Sequence, residues 1–435
     1  MLIRSIILIY MLLNYALFTQ ATTMVRDSEM ENVIIEAISP IVKASGASGK
    51  INLLFIQDPQ INAFTPGGND IYLNTGLISK FHDVDMVKCV VAHELGHIIG
   101  HHASRLTSDM ENQQKAALGG VAIGLAAALA SSNLDALMAG AIGGSDYATT
   151  NILKYSRAFE SSADQSAFQS LEKSGNSAVG MKELFNYFIK EQRGGTSDPY
   201  SLTHPLSTER MASLNNFLSR SKYKHSTSSK SLEARYERMS YKIFAFTETP
   251  EVALMEAKRV KNNAIALYMK AVAYMKLGNM NEALLAINIL LKSAPKDPYY
   301  NELKGQILFE SGKPEALGFF VKASSLLPHD ALMKMNVAVV ALNVHQKNPN
   351  TLQGFIPYLK FVQTKEPASV TPYYYLSLYY EAMGREDLRQ VYLALYYDKQ
   401  GDPKGKTLAK SALRILTKDT PEWYWAQDIV ERERD

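Results

Sequence analysis

The second half of the chain repeats itself. Ala271, Tyr274 and Gly278 are spaced A-x-x-Y-x-x-x-G; Gly305, Leu308 and Gly312 restate that spacing 34 residues later, and Ser377, Tyr380 and Gly384 restate it two periods on. A repeat of this length is one pair of antiparallel helices: the small residue lets them approach and the glycine ends the first. Ala283 falls where the second helix needs a small packing residue, and Pro295 where it must stop. The match is good in the first copy and fair in the second and fourth. It is poor over residues 331–367, which count as a degenerate third. No such pair can bury its apolar face alone, so the pairs must stack into a helical solenoid, whose concave face suits extended segments or partner proteins.

This is the tetratricopeptide period, and it accounts for fewer than half of the 435 residues. The front half shows no such period. Between the halves, "SRSKYKHSTSSKS" (219–231) is polar, basic and free of large aliphatics, as a linker would be. The expected division is a first domain over 28–220, a linker over 221–231 and a repeat domain over 232–435. Against 46 Lys and Arg stand 43 Asp and Glu, so no global field calls for nucleic acid.

The first 23 residues carry one cation at Arg4, an apolar run from Ile6 to Phe18 broken by Asn14, and then small or polar residues. The pattern predicts a signal peptide over 1–21, with an uncleaved anchor as the alternative. Export normally brings disulfides, yet Cys89 is the sole thiol and cannot form a bridge within the chain. A bacterial periplasm fits that combination. Residues 116–144 are nearly all Ala, Gly and Leu, split by Ser131, Ser132, Asn133 and Asp135 into pieces too short to span a bilayer. They predict a tightly packed helical pair, a mobile flap, or a segment in contact with a membrane.

Near-3.6 periodicity over 28–45 predicts a helix, with Pro40 near its end or kinking it. The run "INLLFI" (51–56) predicts a strand, and "IYLNTGLI" (71–78) a second extended stretch after a turn-rich loop. Next comes "VVAHELGHIIGHHASR" (90–105). His93 and His97 stand four apart, so a helix puts both on one face, at the separation two nitrogen ligands need around zinc. Glu94 would flank the metal without ligating it. The longer pattern H-E-x-x-H-x-x-G-x-x-H fails, because Gly100 fits but Ala103 occupies the last place. His101 and His102 are near misses. The third ligand must lie downstream. "YSRAFESSADQSAF" (155–168) offers Glu160 as ligand and Asp164, four residues on, to accept the free ring N–H of a ligating histidine.

"HELGH" followed by an E-x-x-x-D helix resembles the gluzincin peptidases of the HtpX and Oma class, and "NAFTPGGNDIYLNTGLI" (62–78) is similar to the segment before their zinc helix. With a signal ahead and the repeats behind, the whole chain resembles the periplasmic β-barrel assembly-enhancing group of metalloproteases. That resemblance implies one Zn2+ per chain and substrates among unfolded outer-membrane proteins, with the solenoid engaging the assembly machinery. It also points to "SLTHPLSTERM" (201–211). His204 there would be a fourth ligand in a resting state or a donor to the oxyanion, and Arg210 would orient the loop or stabilise negative charge.

The expected fold class is mainly α: an α+β protease domain with a small β-sheet and the H-E-x-x-H helix, then an α-helical tetratricopeptide solenoid. The expected function is zinc-dependent peptide hydrolysis, with Glu94 as general base and substrate entering as an extended strand beside Asn62, Ala63 and Phe64. Two competing functions are a repeat-based chaperone with a latent zinc site and a membrane-integral protease.

Overall fold

The computed structural model describes residues 23–106, 108, 146–195 and 199–432. The expected signal (1–21) and the Ala/Gly/Leu stretch (116–144) lie outside them. The described residues divide into two compact units, the first ending at Ala253 and the second beginning at Leu254.

In the first unit, α1 (Ser28–Ser45) begins where the Asp27 carboxylate accepts the Met30 N–H and ends at Gly46 in the left-handed conformation, φ 76°. Its apolar face buries Met30, Val33, Ile34, Ala37, Ile38 and Ile41. Four strands follow the order β1 (Met24–Val25), β2 (Asn52–Ile56), β4 (Asp70–Asn74), β3 (Ala63–Phe64). β2 and β4 run parallel, with Leu53 opposite Ile71, whereas β3 pairs antiparallel with β4, Ala63 opposite Leu73. Among the described residues β3 is therefore an edge strand. The extended stretch expected to reach residue 78 stops at Asn74, and Thr75–Lys80 form a short helix, α2. Gly76 decides this: a Cβ there would sit 2.2 Å from the Pro59 carbonyl oxygen, so only glycine lets the chain turn against that loop.

Helix α3 (Val84–Ile99) is the centre of the unit. Asp83 caps it, and every residue from Met86 to Gly96 is buried. At about 1.5–3 kcal/mol per large apolar side chain, Val87, Val90, Val91 and Leu95 anchor it in the core. α4 (Asp146–Lys173), α1 and α5 (Val179–Arg193) pack around it. Polar side chains placed there are costly unless satisfied, which makes the buried Lys88, His93 and Glu94 of this helix conspicuous.

After α5 come α6 (Pro199–Thr203), α7 (Thr208–Arg220) and α8 (Lys230–Thr247). α8 corrects the expected domain boundary. Its Leu232, Tyr236, Met239 and Ile243 join the core of the first unit, the Tyr236 hydroxyl donates to the Phe81 carbonyl at 3.0 Å, and Lys242 pairs with Asp27 and Glu29. The supposed linker is docked as well: the Ser228 hydroxyl donates to Asp85 at 2.6 Å and that of Ser226 to the Gly175 carbonyl at 2.9 Å. Its polar composition reflects these serine contacts, and the units part between Ala253 and Leu254.

The second unit is a succession of helical hairpins: α10 (Asn263–Lys276) with α11 (Met280–Ser293), α12 (Pro298–Glu310) with α13 (Ala316–Leu326), α14 (Ala331–His345) with α16 (Ile356–Lys365), α17 (Thr371–Ala382) with α18 (Glu386–Lys399), and α19 (Lys404–Ala412) with α20 (Pro421–Glu431). α9 (Pro250–Ala257) leads in, and the short α15 (Pro349–Gln353) bridges the third pair. Gly278, Gly312 and Gly384 all have φ between 69° and 74°, so the repeat glycine ends each first helix in the left-handed region. The motif-poor third copy folds as a helical pair regardless, because Val337, Ala338, Val340 and Ala341 are buried between its neighbours.

Candidate metal centre

α3 presents His93 and His97 one turn apart, and α4 crosses it so that Glu160 and Asp164 face them. Gly96 makes the crossing possible. A Cβ at that position would lie 2.5 Å from the Ala163 carbonyl oxygen and 2.7 Å from its Cα, so any side chain would push the two helices apart. From α6 and the loop after it comes His204, buried against Tyr200 with ring centroids 4.6 Å apart.

The donor atoms of His93, His97, Glu160 and His204 all lie within 4.8 Å of one another. His93 Nε2 is 3.1 Å from His97 Nε2, 3.1 Å from Glu160 Oε2 and 3.3 Å from His204 Nδ1. Glu160 is 3.3 Å from His97 Nε2 and 3.2 Å from His204 Nδ1. These five separations are close to the edge of about 3.3 Å expected between ligands of a four-coordinate zinc ion, and the remaining pair, His97 and His204, lies within the 4.8 Å that bounds the group.

Charge agrees with shape. The carboxylates of Glu160, Asp164 and Glu94 are buried here against one guanidinium, that of Arg210. Burial opposes a charge on His93, but Glu160 and Asp164 overcome it and lift that imidazole to about 10, whereas burial holds His97 down at about 4. Such a site holds cationic charge at its centre, and a dication would supply it. The residues present fit a zinc ion.

Glu94 stands apart from the four. Neither of its oxygens accepts a hydrogen bond at normal geometry; His204 Nε2 is 3.4 Å away, and the Thr65 hydroxyl is another polar neighbour. Burial pushes its carboxyl up, against the pull of His204 and His93. A buried carboxylate oriented to the cage with its oxygens free is equipped to take up a proton.

Asp164 accepts from His93 Nδ1 at 2.9 Å. Arg210 is buried beside these groups. Its Nε and Nη2 donate to Asp164 at 2.7 and 2.8 Å, and its Nη1 donates to Glu160 at 2.8 Å and to the Pro205 carbonyl at 3.1 Å. With its donors committed to carboxylates and the loop backbone, Arg210 fits the loop-orienting alternative. Of the residues expected beside the substrate, Ala63 accepts from His204 Nε2 at 3.3 Å, the Asn62 carbonyl accepts from the Asn74 N–H at 3.0 Å, and Phe64 stacks on Tyr72. His82, without a role in the sequence, bonds Ser240 at 2.8 Å and stacks on Tyr241. Sequence reasoning missed Gly96 and Thr65, and took His102 only as a near miss for a metal ligand. The available signals were a glycine inside a buried helix face and a histidine within reach of the ligand turn.

Comparison with known proteins agrees with this geometry. Residues 24–218 match peptidase family M48, and residues 253–307 match a tetratricopeptide repeat. Among similar curated proteins, the beta-barrel assembly-enhancing protease of Yersinia pestis is 26% identical over 283 residues, 63% of this chain and 57% of that one. The protein of the same name from Escherichia coli (strain K12) is 24% identical over 307 residues, 68% of this chain and 61% of that one. Metalloprotease YcaL of the same strain is 28% identical over 177 residues, 40% of this chain and 65% of that one. The chain spans between about a third and two thirds of the length of the curated relatives it matches. A crystal structure of MamA aligns over 45% of this chain and 96% of that one at 14% identity, with a TM-score of 0.30, too low to bear on the fold. The stretch that matches peptidase family M48 contains all four cage residues and ends two residues short of the end of α7.

Proposed function

We propose that this chain is a zinc-dependent endopeptidase of the periplasm that acts on unfolded or stalled outer-membrane proteins. The observation that carries the proposal is the cage of His93, His97, Glu160 and His204 with the buried Glu94 carboxylate, which accepts no hydrogen bond, beside it. His93, His97 and Glu160 would hold the ion. Zinc, when bound, supplies a Lewis acid for the peptide carbonyl and acidifies water. Glu94, with its proton affinity raised by burial, takes the proton of the attacking water and delivers it to the leaving amine. Asp164 holds the His93 ring so that Nε2 faces the ion, and Arg210 holds Asp164, Glu160 and the His204 loop together.

His204 supplies the fourth side of the cage, and a four-ligand cage is the closed form of a zinc site. Its ring also reaches the Ala63 carbonyl on the edge strand, where an extended substrate would pair along β3. The ring thus covers both the position of the attacking water and the strand edge, and must swing away for turnover. The tetratricopeptide match and the names of the relatives support a protein-binding role for the repeats and a place beside the outer-membrane assembly machinery. Among the described residues no helix is long and apolar enough to cross a membrane.

The test is metal content and casein cleavage of the purified chain beside Glu94→Gln. One zinc per chain in both, with cleavage lost only in the variant, is the expected result; zinc in neither refutes the metal assignment. His204→Ala should raise basal cleavage. Unchanged or lower activity counts against the closed resting state.

A further inference from the structure

We propose that His102 is a positioning residue for the metal ligand His97, a role that rests on the zinc assignment above. The two ligating histidines of α3 need their second ring nitrogens held, because a ligand ring free to rotate or to change tautomer binds weakly. For His93 the holder is Asp164. For His97 it is another imidazole: His102 Nδ1 lies 3.0 Å from His97 Nδ1. When His97 Nε2 faces the ion, its proton sits on Nδ1 and is donated to His102 Nδ1, whose own proton then sits on Nε2.

The local backbone is shaped for this contact. α3 stops at Ile99, and His101 takes a left-handed conformation with φ 50°, costly for a residue with a side chain. That bend turns residue 102 back over the helix end. A Cβ on Gly100 would lie 2.2 Å from His102 Nε2, so glycine clears the space for the ring. On the other side the ring stacks on Phe159, centroids 4.5 Å apart and planes 17° apart, and the residue is 4% exposed. Phe159 immediately precedes the ligand Glu160, so one aromatic contact ties the His97 holder to the helix bearing the third ligand. Its two supports make the cage unequal: His93 leans on a carboxylate charge and His97 on a neutral acceptor, so the His97 side is the weaker bond of the centre.

The test measures zinc affinity of the full chain by competition with a chromogenic chelator in wild type, His102→Phe, His102→Gln and Phe159→Leu. Phenylalanine keeps the stack and removes the acceptor; glutamine keeps an acceptor. His102→Phe should weaken zinc by about 10–100-fold and abolish the His97 Nδ1–H resonance in the NMR spectrum. His102→Gln should recover most of the affinity, and Phe159→Leu should cost less than His102→Phe. Wild-type affinity in His102→Phe would overturn the proposal, including where that variant melts lower without zinc, since lost stability with intact affinity marks a purely structural residue. Absence of zinc from the wild type would overturn the metal centre itself, a distinct result.

Discussion

The two units hold their polar groups in opposite ways. In the repeat unit almost every buried side chain is apolar, and the same role recurs at fixed spacing, as with the left-handed glycines 278, 312 and 384. In the first unit one buried cluster joins His93, His97, Glu160, Asp164, His204 and Arg210 from four parts of the chain. A repeat spreads its stability over many equivalent contacts, so no one of them is critical. A buried charge cluster concentrates it, and each member left without its partner is expensive.

That contrast can be broken or sharpened by substitution. The largest effect belongs to the cluster's chemistry: Glu94→Gln should lower kcat for casein by about 10²–10⁴-fold while zinc content stays at one per chain. Next, Arg210→Met leaves Asp164 and Glu160 facing each other without their cation. It should cost about 3–5 kcal/mol in urea unfolding of the first unit and weaken zinc, and a loss under 1 kcal/mol would dissolve the contrast. Gly96→Ala should cost about 1–3 kcal/mol by forcing α3 and α4 apart at Ala163, and zinc affinity should fall with it because Glu160 rides on α4. Smallest is Gly278→Ala. It puts a side chain at φ 74° in open space and should cost about 1 kcal/mol with zinc affinity and cleavage unchanged.

Legibility in the sequence follows the same division. His93, Glu94 and His97 can be read because a helix turns a four-residue spacing into a shared face, and Glu160 with Asp164 is legible for the same reason. His204 and Arg210 have no local pattern and emerge only through resemblance to a family. α8 misleads because its amphipathic pattern suits either unit, and only Tyr236 meeting Phe81 and Lys242 meeting Asp27 show which one it joins.

By itself, then, the sequence determined what depends on neighbours a few residues apart: the helical pairs, their terminating glycines, the histidine face of α3 and the carboxylate face of α4. Tertiary structure alone decided that these faces meet, through the missing side chain of Gly96, that α8 closes the first unit, and that His102 folds back onto His97. Local spacing acts through backbone geometry that every helix shares, whereas these contacts depend on which surfaces can approach within a few ångströms, and that is set by the packing of the whole unit.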